Sequence, residues 1–372
     1  MLNFTIGFVI SFAVTVAIIR YATLHRSFSG DTDFSGAQKF HSRPVPRIGG
    51  LGLMIALIGG CAFLGAVHAA QFRNVAFLTL SALPAFLAGG LEDVTKRVSP
   101  RSRLIATATA ALLAIWLLDA RIVRLDIPIV DSLLTFWGIS AALTILAVAG
   151  LANAVNIIDG FNGLAGMVTT MMFVSLAYVS FQVGDTSVLT VALLMCGAIL
   201  GFFLLNFPGG LVFLGDGGAY LIGFMLAELA VLLVMRNSAV SAWYPVLMFI
   251  YPIFETIFSI YRKKFIRGIS PGIPDGVHLH MLIYKRVMRW AVGSRDERYL
   301  LRRNSMTSPY LWLLSLLAVL PATLFWRRTW LLAVCTLLFI LTYVWLYWSI
   351  VRFKAPRWMI VKKKKRKNHH DQ

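Results

Sequence analysis

Long apolar stretches alternate with short polar ones along nearly the whole chain, and the gaps between charged residues mark out eleven segments. They lie near residues 2–19, 48–67, 74–91, 104–118, 133–152, 164–182, 187–207, 217–235, 243–261, 309–326 and 329–350. An unpaired charge at the bilayer centre costs about 2.5 kcal/mol or more, so charge gaps of this length read as membrane spans. Lipid offers no partner to backbone N–H and C=O groups, and each span is therefore expected as a helix. The first segment has the apolar length of a signal peptide. No basic stretch precedes it and no small-residue cleavage pattern separates it from Arg20, so it is read as a span. The expected fold is an all-α polytopic membrane protein of about eleven transmembrane helices.

Composition agrees with that pattern. Of 372 residues, 58% are hydrophobic and only 14% charged, against about a quarter charged in average soluble domains. A mean hydropathy of +0.76 excludes a cytosolic enzyme, a disordered chain and a secreted disulfide scaffold. Cys61, Cys196 and Cys335 all fall in apolar stretches without the short paired spacing of metal or disulfide frameworks, and read as packing residues.

The net charge of +19 is first a statement about topology. With eleven spans, one face collects 29 of the Lys and Arg residues and the other 6, namely Arg73, Arg121, Arg124, Arg236, Arg327 and Arg328. Basic residues stay cytoplasmic, so the N-terminus is expected outside and the C-terminus inside. The run Lys362 to Lys367 reads as a juxtamembrane tail attracted to anionic lipid, and needs no nucleic acid to explain it.

The unusual polar residues cluster on the same basic face. They form four islands: Gly90-Leu-Glu-Asp-Val-Thr-Lys96, Asn153 to Ala165, Asn206 to Asp216, and Ser270 to His280. Two of these, Asn153 to Ala165 and Asn206 to Asp216, carry no Lys, Arg or His, although they place Asp and Asn at span ends. Glu92 and Asp93 are either a solvated helix end, with Lys96, Arg97, Arg101 and Arg103 complementing the dipole, or a base or metal ligand in a wet cleft. Asn153, Asn156 and Asp159 are spaced by three and share one stripe if the helix continues, either as interhelical amide glue or as a polar site. Gly160 and Gly163 then end the helix or admit a ligand close to backbone. Asp216 opens span eight as a helix cap or as a hard oxygen ligand for Mg²⁺. His278 and His280 point the same way on an extended segment and diverge on a helix. Zinc would want further Cys or His ligands, and the surrounding basic residues favour a phosphate-facing role.

Taken together these residues resemble the polyprenyl-phosphate N-acetylhexosamine-1-phosphate transferase family. The resemblance runs from about Lys39 to Leu282, through Pro46-Arg-Ile-Gly-Gly50, Glu92-Asp93, Asn153 to Ala165, Asn206 with Phe213-Leu-Gly-Asp216, Ser270-Pro271 and His278-Leu-His280. It implies a bacterial inner-membrane enzyme with its site on the cytoplasmic face. One transmembrane transferase domain would span residues 1–352, with a basic cytoplasmic tail at 353–372. The reaction implied is attack of a polyprenyl phosphate oxygen on the β-phosphorus of a UDP-N-acetyl sugar, with release of UMP. Asp93 would then be the base or the activator of the lipid phosphate, joined by Glu92 and Asp159 as catalytic groups, and Asp216 the ligand of Mg²⁺, with Mn²⁺ as a substitute. Asn156, Asn162, Asn206, His278, His280, Arg47 and Lys96 would bind substrate. A homodimer is left open.

Three positions depart from the family pattern. Glu92 stands for Asp, Asn162 replaces a second Asp and cannot ionise, and Met281 interrupts the histidine loop. Met281 points away from the phospho-N-acetylmuramoyl-pentapeptide transferase and towards an N-acetylglucosamine-like sugar for O-antigen, capsule, teichoic acid or exopolysaccharide. The rival readings are a secondary transporter, motivated by the intramembrane Glu228 and Glu255, and a catalytically inactive membrane scaffold.

Overall fold

The structure, a computed structural model, describes residues 1–24, 30–31, 44–67, 69–270, 276–288 and 297–352. Lys39, Pro271, Asp275 and the basic tail at 353–372 lie outside the described residues. The helices are α1 (Leu2–Arg20), α2 (Gly50–Val67), α3 (Ala69–Thr95), α4 (Pro100–Leu118), α5 (Pro128–Leu134), α6 (Trp137–Ile158) and α7 (Leu164–Val183). They continue as α8 (Thr186–Asn206), α9 (Gly215–Arg236), α10 (Trp243–Met248), α11 (Ile250–Tyr261), α12 (Leu279–Leu282), α13 (Glu297–Leu324) and α14 (Thr329–Val351). Two-residue strands β1 (Gly30–Asp31) and β2 (Val45–Pro46) pair antiparallel.

Ten helices among the described residues are long and apolar enough to cross a membrane. The eleventh expected segment, 243–261, is not one helix. It divides at Phe249 into α10 and α11. Pro252 lacks the N–H that would bond the carbonyl of Met248, and its ring crowds that carbonyl, which weakens the helix at this break. Two other boundaries move. α6 continues to Ile158 rather than ending near 152, which brings Asn153 and Asn156 onto helix. α13 begins at Glu297 rather than 309, because its first three turns are polar and carry Arg302 and Arg303.

The helix α9 is the hub. It packs against α2, α3, α6 and α7, and nearly every residue from Gly215 to Val234 is buried. Peripheral helices instead expose large apolar side chains, among them Trp116 on α4 and Leu337, Leu341 and Trp345 on α14. Exposed apolar surface on this scale suits lipid rather than water. Below the break, α11 and the π-helical turn Arg262–Ile266 expose Ile257, Ile260, Tyr261, Phe265 and Ile266.

At the sparsely basic end, Arg124 gathers carbonyls beyond the C-terminus of α9, donating to Asn237 O (3.2 Å) and, at closer range, to Val240 O. A cation suits the negative end of a helix dipole. Asp126 pairs with Arg124 and accepts from Ser241 Oγ at 3.0 Å and Ala242 N at 2.8 Å. Partial burial raises the Asp126 carboxyl, but those donors outweigh it and hold the group below the usual carboxylate value.

Candidate active site

The Pro46–Gly50 motif is locked to the Asn206–Asp216 island by backbone pairing. Phe213 N donates to Pro46 O (2.8 Å), Gly49 N to Phe213 O (3.0 Å) and Gly50 N to Leu214 O (2.8 Å). This places Arg47 against the start of α9. Gly215 sits at φ +76°, and a Cβ there would meet the Arg47 carbonyl at 2.0 Å, so the crossing requires glycine.

The same helix start is closed from another side by Asp93. Its two carboxylate oxygens accept from Asp216 N at 2.8 Å and Gly217 N at 2.9 Å, and the residue is only 2% exposed. Asp93 is thus a helix cap supplied from α3, using a carboxylate where the dipole favours one. Leu214, the N-cap residue itself, supplies no side-chain bond. The adjacent Glu92 turns the other way and accepts from Val98 N at 2.7 Å. Lys96 ends α3 in the left-handed region at φ 55° and is exposed.

Asp216, whose backbone amide Asp93 holds, aims its side chain into a polar cavity of about 330 Å³. Asn156 on the last turn of α6 donates to its Oδ1 at 3.0 Å, and Arg47 approaches the same oxygen at 3.4 Å. Arg103, in the first turn of α4, pairs with Oδ2. Arg47 also lies 3.7 Å from Asp93. Asn153 faces the same way as Asn156 and accepts from the Tyr220 hydroxyl at 3.2 Å. The stripe anticipated by the spacing of three therefore meets α9.

Asp159 follows directly on the end of α6 and lines the cavity. Desolvation pushes its carboxyl up to about 7, against the pull of Arg47. Asn206 and Asn162 also line the cavity, but their polar atoms serve the walls. Asn206 accepts from Gly163 N (2.6 Å) and donates to Val212 O (2.7 Å). Asn162 donates its backbone N–H to Asn304 Oδ1 (2.8 Å) and its side-chain amide to Pro208 O (3.3 Å), while its carbonyl accepts from Ser308 Oγ (2.6 Å).

His278 is extended at φ −62°, ψ 154° and forms the N-cap of α12. The His278 and His280 rings stack in parallel with centroids 5.3 Å apart, although only His278 is extended and His280 lies on α12. Glu255 orients His278. It is fully buried, pairs with His278 Nδ1 at 2.9 Å, and accepts from Leu279 N (3.1 Å) and the Tyr343 hydroxyl (2.7 Å). Met281 lines the cavity beside them.

Of the expected site residues, Arg47, Asn156, Asp159, Asn162, Asn206, Asp216, His278 and His280 share one cavity wall. Glu92, Asp93 and Lys96 do not line it. Asp93, expected as base or activator of the lipid phosphate, is absent from the cavity lining and accepts from the amides of α9 with both oxygens. Sequence reasoning passed over Asn304, and it assigned Arg103 only to the end of α3. Arg103 carried a signal: Ser99-Pro100 marks a helix start, and a cation in a first turn opposes the dipole.

Residues 75–234 match the family model described as glycosyl transferase family 4. A Bacillus subtilis protein named a probable undecaprenyl-phosphate N-acetylglucosaminyl 1-phosphate transferase is 25% identical over 297 residues, covering 79% of this chain and 80% of its own. A Mycobacterium tuberculosis decaprenyl-phosphate N-acetylglucosaminephosphotransferase is 28% identical over 302 residues, or 72% of this chain and 73% of its own. A Lacticaseibacillus paracasei phospho-N-acetylmuramoyl-pentapeptide-transferase is 32% identical over 199 residues, covering 51% and 61%.

Proposed function

Because the chain belongs to glycosyl transferase family 4, we propose that it moves an N-acetylhexosamine 1-phosphate from a UDP-sugar to a polyprenyl phosphate. A lipid phosphate oxygen bonds to the sugar-bearing phosphorus, the bond to UMP breaks, and the sugar remains in the membrane as a polyprenyl diphosphate. The observation that carries this reading is the convergence of Asp216, Asp159 and Arg47 on one polar cavity at the helix ends, with Arg103 paired to Asp216. Phosphoryl transfer asks a protein for positioning and for charge aimed at the phosphates, and these groups supply both. Arg47 holds phosphate oxygens, Asn156 orients Asp216, and His278, braced by Glu255, faces phosphate or sugar. Asp159, raised to about 7, can take the proton of a lipid phosphate near neutrality.

The donor set fits Mg²⁺. It is composed of hard oxygens, Asp216 first with the Asn156 amide beside it. Among the described residues no group of three His, Cys, Asp or Glu could hold a metal alone, which suits an ion that takes one or two carboxylates and completes its shell with substrate phosphates. When bound, the ion would neutralise charge developing on the diphosphate. The basic face of the chain, and this site with it, is cytoplasmic in this reading, with the N-terminus outside and eleven crossings including the broken α10–α11 segment.

N-acetylglucosamine is the favoured sugar, because relatives acting on it are similar over most of this chain. The muramoyl-pentapeptide substrate is the second reading, on the shorter match. Purified protein with Mg²⁺, polyprenyl phosphate and a panel of UDP-N-acetyl sugars tests both. The expected result is UMP release that requires the lipid phosphate and disappears in Asp216→Ala. Lipid-independent release, or no turnover with any UDP-sugar, overturns the proposal.

A further inference from the structure

The Asp216 carboxylate is already crowded with donors: Arg103 on one oxygen, Asn156 and Arg47 on the other. A divalent cation cannot join this carboxylate while both guanidiniums keep their places, because like charges would meet across one small anion. Arg103 is the one built to leave. It sits in the first turn of α4, where the helix dipole disfavours a cation. Its Nε is buried and has no hydrogen-bond partner among the described residues. Its guanidinium also lies 5.9 Å from the Tyr220 ring centroid, a surface that lets the flat group shift without losing its contact. A guanidinium offers five donors in a fork shaped for phosphate; only one of those on Arg103 is used on Asp216.

We propose that Arg103 is a resident counter-ion of Asp216 that hands the carboxylate to a divalent cation and takes hold of the nucleotide diphosphate when the two arrive together. The inference rests on the transferase reading and extends it to the order of events at the site. Without the diphosphate, displaced Arg103 has no anion to receive it, so cation binding is weak. With the diphosphate present, both charges are matched. Metal and nucleotide affinities are therefore coupled, and by linkage each strengthens the other equally.

Mn²⁺ binding to the detergent-solubilised full chain, followed by electron paramagnetic resonance with and without UDP-N-acetylglucosamine, tests this independently of turnover. Wild-type protein should bind Mn²⁺ about tenfold more tightly with the nucleotide sugar than without it. Arg103→Gln should bind Mn²⁺ alone about tenfold more tightly than wild type does, lose most of the coupling, and bind UDP-N-acetylglucosamine more weakly in EDTA. Arg103→Lys, which keeps the charge without the fork, should fall between them and serves if the glutamine variant does not fold. Asp216→Asn should abolish Mn²⁺ binding in every background. Unchanged or weaker Mn²⁺ affinity in folded Arg103 variants, in a wild-type preparation that releases UMP, overturns the handover alone. Absence of both Mn²⁺ binding and UMP release in wild type overturns the transferase reading and this inference together.

Discussion

Asp159 stands one residue beyond the last turn of α6, where the chain stops satisfying its own carbonyls and the cavity begins. Its carboxyl is moved from the ordinary 3.8 to about 7. Between those values the folded chain keeps a proton that the unfolded chain releases, so Asp159 makes the fold progressively less stable as pH rises through that window. Asp159→Asn cannot ionise, and the melting midpoint of this variant should depend less on pH between about 4 and about 7 than that of wild type. An equal slope in the two proteins would place the proton on another group. At this scale the sequence was a good guide to residue type and a poorer one to posture. The spacing of Asn153 and Asn156 announced their common face if the helix continued, whereas the spacing of His278 and His280 left their relative direction open. Nothing in Glu92-Asp93 announces that Asp93 spends both oxygens on amides 123 and 124 residues further on. Such a cap is non-local, and a pair of adjacent carboxylates looks the same in sequence whether it faces amides or substrate.

Two glycines side by side on α3 make a sharper test of how elements meet. A Cβ on Gly89 would lie 2.6 Å from the Asp216 carbonyl carbon, whereas one on Gly90 would meet nothing within 4 Å. Gly89→Ala should push α9 off its cap and lose most UMP release, while Gly90→Ala should keep it; equal behaviour would show that the α3–α9 crossing does not set the site. Charge gaps located ten long helices to within a few residues at most ends. They failed where local chemistry overrides hydropathy. Pro252 breaks a segment that is apolar throughout, and α13 runs for three turns through polar and basic residues before its apolar stretch begins. Asn304 was passed over for that reason: its turn reads as loop, although tertiary contacts with Asn162 and Pro208 hold it as helix.

At the level of the whole molecule, the asymmetry of 29 basic residues against 6 makes a claim that chemistry at the site cannot test. In intact cells or oriented vesicles, Ser238→Cys should react with an impermeant thiol reagent from outside and Ser270→Cys only after permeabilisation. Both positions are exposed, and Cys61 and Cys196 are buried. Inverted labelling would put the cavity on the side away from cytoplasmic nucleotide sugar and defeat the proposed reaction.

The broken segment gives the molecule a particular relation to its solvent. Above Phe249 an apolar cavity of about 220 Å³ lies between α6, α9 and the two halves of that segment, and below it α11 turns Ile257, Ile260 and Tyr261 outward. An acceptor with a long hydrocarbon tail would come upon such a protein sideways, within the plane of the bilayer. Encounter is then a search in two dimensions, set by the acceptor's fraction among neighbouring lipids rather than by its amount per volume of solution. The two reactants of the proposed transfer would obey different concentration laws: one diluted by water and the other only by fat.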